Sequence, residues 1–281
     1  MRAGAAFFAL FVAIATGIAA SAQHSTLELA QITARGRALY LYDAAAARAT
    51  DAVQARYGRQ TPAPIAPGAR LSYIGHPSFS GWVFDFGMLT PDKTAFTVAY
   101  RAVEAGPNDP TFDVTRLNAA AETPFDVEAT RALDLAMDDF QFVRSSSSYD
   151  YAVLQRQDGE WYVYLYPGST EHDHPLGGDG RYLISTDGTQ ILERHRMHDA
   201  IIDRSLGNSQ VPAGTQLAAG FHTDVVEDVP QDTDVFDVLV RQPRIPEYVS
   251  AQGHMYEIDT QGAIQDLAQG AHPSPSPSPA P

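Results

Sequence analysis

The chain has no cysteine and a single lysine, Lys93. Without cysteine there is no thiol nucleophile, no disulfide and no thiolate ligand, so any transition-metal site must be built from His, Asp and Glu. The lack of disulfides is tolerable, because a chain of 281 residues is long enough to bury a core without staples. Several catalytic signatures are also missing: the Gly-x-Ser-x-Gly nucleophile turn, His-Glu-x-x-His, the phosphate-cradling glycine loop and the dinucleotide Gly-x-Gly-x-x-Gly. Beyond the N-terminal apolar run, no segment approaches the roughly 20 apolar residues of a membrane span.

Positive charge is scarce. There are 34 acidic residues against 19 basic ones, for a net charge of −15. Such a surface repels phosphate backbones and anionic headgroups, so nucleic acid and membrane surfaces are not expected partners. The expected partner is a protein or small ligand whose identity the sequence does not carry.

The N-terminus opens with Met1-Arg2, an apolar run over residues 5–20 and then Ala20-Ser21-Ala22. Charge, apolar core and a small-residue cleavage pattern in that order predict a secretory signal peptide over residues 1–22. The expected address is periplasmic or secreted, free of the membrane after cleavage. No cysteine follows the run to carry a lipid. Residues 23–270 are expected to form a single α+β domain. Residues 271–281, ending HPSPSPSPAP, read as a disordered tail, because alternating proline removes backbone donors and fixes φ.

Residues 25–57 read as helix, with a break at Gly36 an open alternative and Gly58 the stop. Asp43, Ala47 and Asp51 share one face of it, either as a polar site or as a solvated stripe. Residues 81–88 and 94–101 alternate apolar and polar, predicting a hairpin. Thr123 and Pro124 open a helix whose buried stripe is Phe125, Ala129, Leu133, Ala136 and Phe140. Asp158-Gly159 and Asp187-Gly188 sit between alternating runs, each a hairpin signal. A strand over 215–222, a helix over 233–241 and two strands over 248–250 and 254–258 complete the reading. Sequential hairpins with a few helices predict an α+β fold, a largely antiparallel sheet with helices packed on it.

Candidate chemistry rests on histidine. His172 and His174 flank Asp173 in an expected loop, and His195 and His198 close an expected strand after Glu193. His222 and Asp224 lie two apart on a strand, so both point to one side and could reach one ion. Each set also reads as surface or structural histidine. Glu227-Asp228 is an acidic loop without the ligand pattern of an EF-hand.

The runs GFHTDVVEDVPQDTDVFDVL and PEYVSAQGHMYEIDTQGAI resemble, in degenerate form, the metal-binding segment of JAMM-type (JAB) isopeptidases. That family's motif is His-x-His-Pro, a loop, then Ser-x-x-Asp. The resemblance implies zinc held by two His and an Asp, with an upstream Glu activating water. His222 matches the first ligand and Asp234 the Asp ligand. Asp224 stands where the second His would be, Val225 where the Pro would be and Gln231 where the Ser would be. Glu160 and Glu193 are the upstream candidates. The metal set so implied is His222, Asp224 and Asp234.

The segments LYLYDAAAARATDAV, GWVFDFGML, YPGSTEHDHPLGGDGRYLIS and TDVFDVLVRQPRIPEYV resemble an uncharacterised family of exported proteobacterial proteins. That resemblance transfers no activity. Two functions stay open: a non-catalytic protein that binds a partner or ligand without a cofactor, and a zinc-dependent hydrolase or its degenerate relative.

Overall fold

The computed structural model describes residues 6–58 (side chains from 26 onward), 70–106, 108–120, 124–140, 148–169, 175–202 and 217–267. The chain is α+β, with mostly antiparallel sheets. It divides into two compact units, residues 38–210 and residues 1–37 with 211–281. Helix α1, Ala6–Tyr57, contributes to both. Among the described residues no helix is long and apolar enough to cross a membrane.

Helix α1 contains no proline and stops where expected. Gly58 takes φ 75° and its N–H donates to the Gln54 carbonyl at 2.8 Å, a left-handed glycine cap. The helix does not break at Gly36. The glycine serves a close approach instead: a Cβ there would lie 2.5 Å from the Asp232 carbonyl oxygen and from the Val235 Cβ. Glycine in a helical run thus marked a contact with a distant segment, which local propensity cannot distinguish from a hinge.

The larger unit holds two four-stranded antiparallel sheets. The first runs β1 (Leu71–Ser78), β2 (Gly81–Leu89), β3 (Phe96–Gly106) and β4 (Asp109–Ala120) in sequence order. Only β2 and β3 were expected; β1 carries Gly, His and Pro among its apolar residues, and the alternation of β4 is confined to Thr111–Thr115. Helix α2 (Pro124–Asp139) follows; the proposed cap at Thr123 lies outside the described residues. The second sheet is ordered β5 (Tyr149–Gln155), β6 (Trp161–Pro167), β8 (Gly180–Ile184), β9 (Ile191–Arg196). The short β7 (Leu176–Gly177) pairs with β10 (Ile201–Ile202).

Both Asp-Gly turns close hairpins, with Gly159 at φ 88° and Gly188 at φ 74°. Helix α2 buries Ala129, Ala132, Leu133 and Ala136 against Ile74, Val153, Trp161, Val163 and Ile184. Phe125 and Phe140 flank this core, so the expected stripe is the packed face. The Trp161 indole N–H donates to the Thr186 carbonyl at 2.9 Å, which satisfies the polar edge of a fully buried ring.

The smaller unit is built on a βαβ connection. Strand β11 (Gly220–Asp224) leads through helix α3 (Asp232–Val240) to β12 (Glu247–Ala251), which lies parallel to β11. Strands β13 (His254–Ile258) and β14 (Ile264–Asp266) extend the sheet antiparallel. The strand expected from 215 begins at Gly220, while 211–216 lie outside the described residues.

Candidate functional site

On β11, Phe221 and Thr223 are exposed while His222 and Asp224 are buried, so imidazole and carboxylate do share a face. Beside them on β12, Glu247 pairs in register with Gly220. The glycine is required by that carboxylate: a Cβ on Gly220 would fall 1.8 Å from Glu247 Oε2. Helix α3 then brings Asp234, one turn in, over His222.

His222 lies between two carboxylates. Its Nδ1 stands 2.7 Å from Glu247 Oε1 and its Nε2 stands 3.1 Å from Asp234 Oδ1. All three residues are buried, with Asp234 and Glu247 at 0% exposure. Burial alone pushes the imidazole toward neutrality, but the Asp234 and Glu247 charges outweigh it and raise its pKa to about 9. As an imidazolium the ring donates from Nδ1 to Glu247 and turns Nε2 toward the Asp234 carboxylate as an ion pair.

The other oxygens are engaged as well. Glu247 Oε2 accepts from Arg241 at 2.9 Å, and Arg241 also pairs with Asp237 one turn back on α3. Asp234 Oδ2 accepts the Gln231 backbone N–H at 2.7 Å, closing a capping box at the start of α3. Asp232, 1% exposed, takes the Arg35 guanidinium at 2.9 and 3.0 Å. Asp232 and Asp234 both sit at the positive end of α3, which favours their charge.

Of the residues the sequence singled out, the fold joins His222 to Asp234. Asp224 is buried on the same strand face but points its oxygens elsewhere: Oδ1 accepts the Val226 backbone N–H at 2.9 Å and Oδ2 the Gln231 side-chain amide at 3.3 Å. It holds the loop that leads into α3. Glu227 and Asp228 lie on that loop, whose Asp228 carbonyl accepts the Tyr256 hydroxyl at 3.0 Å.

In the larger unit, buried His198 places Nδ1 2.9 Å from Asp179 Oδ1, while His195 is half-buried on β9. His172 and His174 lie outside the described residues. Glu160 and Glu193 sit beside Arg156 and Arg181 as surface pairs. Asp43 accepts the Tyr166 hydroxyl at 2.8 Å, and burial raises its pKa to about 6; Asp51 is exposed.

Glu247, Arg241, Asp237 and Arg35 complete the network and were not expected. One signal was present: Asp237 and Arg241 are four apart in a segment read as helix, the spacing of a side-chain pair. Nothing local could assign Glu247, which lies one residue outside the strand read at 248–250.

No family model, curated protein or solved structure matches the chain.

Proposed function

We propose that this is an exported, non-catalytic protein that binds a protein partner or a small ligand. The closure of the His222 network carries the reading. A general base needs an available lone pair, and a metal-bound imidazole must be neutral. His222 instead faces a carboxylate at each nitrogen, a setting that favours its protonated form. The arrangement holds β11, α3 and β12 together. Outward from it, Phe221 and Val225 are 62% and 67% exposed, apolar surface of the kind a partner covers. The N-terminal charge, apolar run and Ala-Ser-Ala pattern support export.

A second reading is a JAMM-like zinc-dependent hydrolase or its degenerate relative, and one observation favours it. Two atoms bound tetrahedrally to one zinc at about 2.0–2.2 Å stand a little over 3 Å apart, close to the spacing of His222 Nε2 and Asp234 Oδ1. Glu247 on the opposite nitrogen is then the carboxylate that orients a metal-ligating imidazole. Asp224 fits less well, because both its oxygens are engaged by the loop.

Metal content of the exported protein, purified without a histidine tag, separates the two. The binding reading expects no stoichiometric zinc, and no uptake on adding Zn²⁺. Near-stoichiometric zinc that disappears in His222→Ala would replace it with the second reading.

A further inference from the structure

The first turn of α2 carries a carboxyl buried without a counter-ion of its own. Asp126 is 3% exposed, and its Oδ1 has no hydrogen-bond partner among the described residues. The helix cannot readily turn it outward. One turn on, Ala129 and Leu133 are locked into the core with Ile74 and Trp161, and the Thr130 hydroxyl donates to the Asp126 carbonyl at 2.6 Å.

The charged groups that act on Asp126 are Asp85 on β2 and Arg101 on β3. Asp85 is 1% exposed and takes Arg101 in a bidentate pair at 2.7 Å for each bond. One guanidinium therefore stands among two buried carboxyls and is already aligned on the other one. Strand β1 adds His76, whose ring packs edge-on against Phe125, and Ser72, a buried hydroxyl with no hydrogen-bond partner among the described residues. Strands β5 and β6 contribute Val153, Trp161 and Val163 beneath α2, and the partly buried Tyr151 of β5 packs against the same core.

An ionised Asp126 is thus a second buried negative charge against one positive charge, whereas the neutral acid needs no counter-ion. Burial and then Asp85 raise its pKa to about 7, against the pull of Arg101. The positive end of α2 also favours ionisation, but it acts within the same turn that is buried.

We infer that Asp126 is a proton-binding site that governs the seating of α2. Protonated, it lets the first turn of the helix lie against β2 and β3. Ionised, it repels Asp85, draws water and loosens that turn. The device is a pH-dependent latch within the larger unit, and it stands independently of the metal question.

Native-state hydrogen exchange of the full chain tests this at about pH 5.5 and about pH 8, with rates corrected for the intrinsic effect of pH. Protection of the α2 amides should fall about tenfold at the higher pH, the size expected when a pKa near 7 is crossed by one unit. The fall should vanish in Asp126→Asn, which is neutral at both values. Wild-type protection that does not change overturns the inference, as does an equal fall in the variant. If Asp126→Asn does not fold, the assigned wild-type Asp126 carboxyl resonance decides. A midpoint near 7 supports the latch, and titration together with exposed aspartates overturns it.

Discussion

The two units bury apolar and charged side chains in different proportions. The larger one is held by apolar contact. Trp161, Phe84, Phe96, Leu133 and Ile184 are fully buried, and the rings of Tyr42, Tyr73, Trp82 and Phe84 pack on one another at 5.4–6.4 Å. The smaller unit has Val235, Val238, Val249 and Ile258, but it buries Asp224, Asp232, Asp234, Asp237, Glu247 and His222 beside them. Apolar contacts are non-directional and forgive small errors, whereas buried charges need each partner in place. The larger unit should therefore lose stability in proportion to volume removed, and the smaller one in proportion to partners removed.

The largest expected effect comes from Glu247→Ala. It leaves His222 and Arg241 buried in a network with one carboxylate fewer, and breaking a buried pair from one side costs about 3–5 kcal/mol. Leu133→Ala in the larger unit should cost about 2–5 kcal/mol, scaling with the cavity left behind. Urea unfolding of both variants checks the pair. The comparison breaks if Glu247→Ala is near neutral, because the network would then be ornament on an apolar core. A sharper version pairs each with a conservative change: Leu133→Met should recover most of its loss, Glu247→Gln little.

This contrast also explains what the sequence made legible. Helix α2 was readable because its buried stripe of Phe125, Ala129, Leu133, Ala136 and Phe140 repeats with the helical period. The Asp-Gly hairpins were readable because Gly159 and Gly188 need positive φ. Strand β4 was not, since only Phe112 and Val114 alternate with polar residues and the pattern shifts at Arg116-Leu117. In the site, His222 and Asp224 on one strand face followed from the two-residue repeat. The contact of His222 with Asp234 could be expected only through a family resemblance. Glu247 and Arg35 join from 25 residues ahead of His222 and 197 residues before Asp232, and no periodicity reaches that far.

A smaller effect is expected from pH, and it again separates the units. His222 has its folded pKa raised to about 9, so its contribution is complete below its ordinary value of 6.5 and is lost as pH rises through 9. The loss should be no more than about 3 kcal/mol. In the larger unit the groups raised into the range from acid to neutral pH are carboxyls. Asp43, at about 6, contributes fully below 3.8 and loses that contribution as pH rises through 6. Stability should therefore decline in two stages, the smaller unit's at the higher pH. Histidine ring resonances followed from neutral to alkaline pH provide the check. A His222 signal titrating near 6.5 would mean that the carboxylates do not hold its proton.

The smallest effects come from two glycines of α1, one in each unit. At Gly36 a methyl group would meet the Asp232 carbonyl oxygen and the Val235 Cβ at 2.5 Å, and backbone cannot step aside as a flexible side chain would. Overpacking of that kind costs about 1–3 kcal/mol. Alanine also returns about 1 kcal/mol of helix propensity, so Gly36→Ala should destabilise by up to about 2 kcal/mol. At Gly58 no described residue lies within 4 Å of the added methyl, and the cost comes from its φ of 75°, about 1 kcal/mol. The two differ in remedy as well as size. Gly58→Asn should restore the cap, because asparagine tolerates the left-handed conformation. No side chain should rescue position 36, since every one begins with the same Cβ. Thermal unfolding of Gly36→Ala, Gly58→Ala and Gly58→Asn would show whether the smaller unit is limited by fit to backbone, as its buried charges require. Equal losses at the two alanines would mean that α3 yields to the methyl and that its polar contacts are looser than their distances imply.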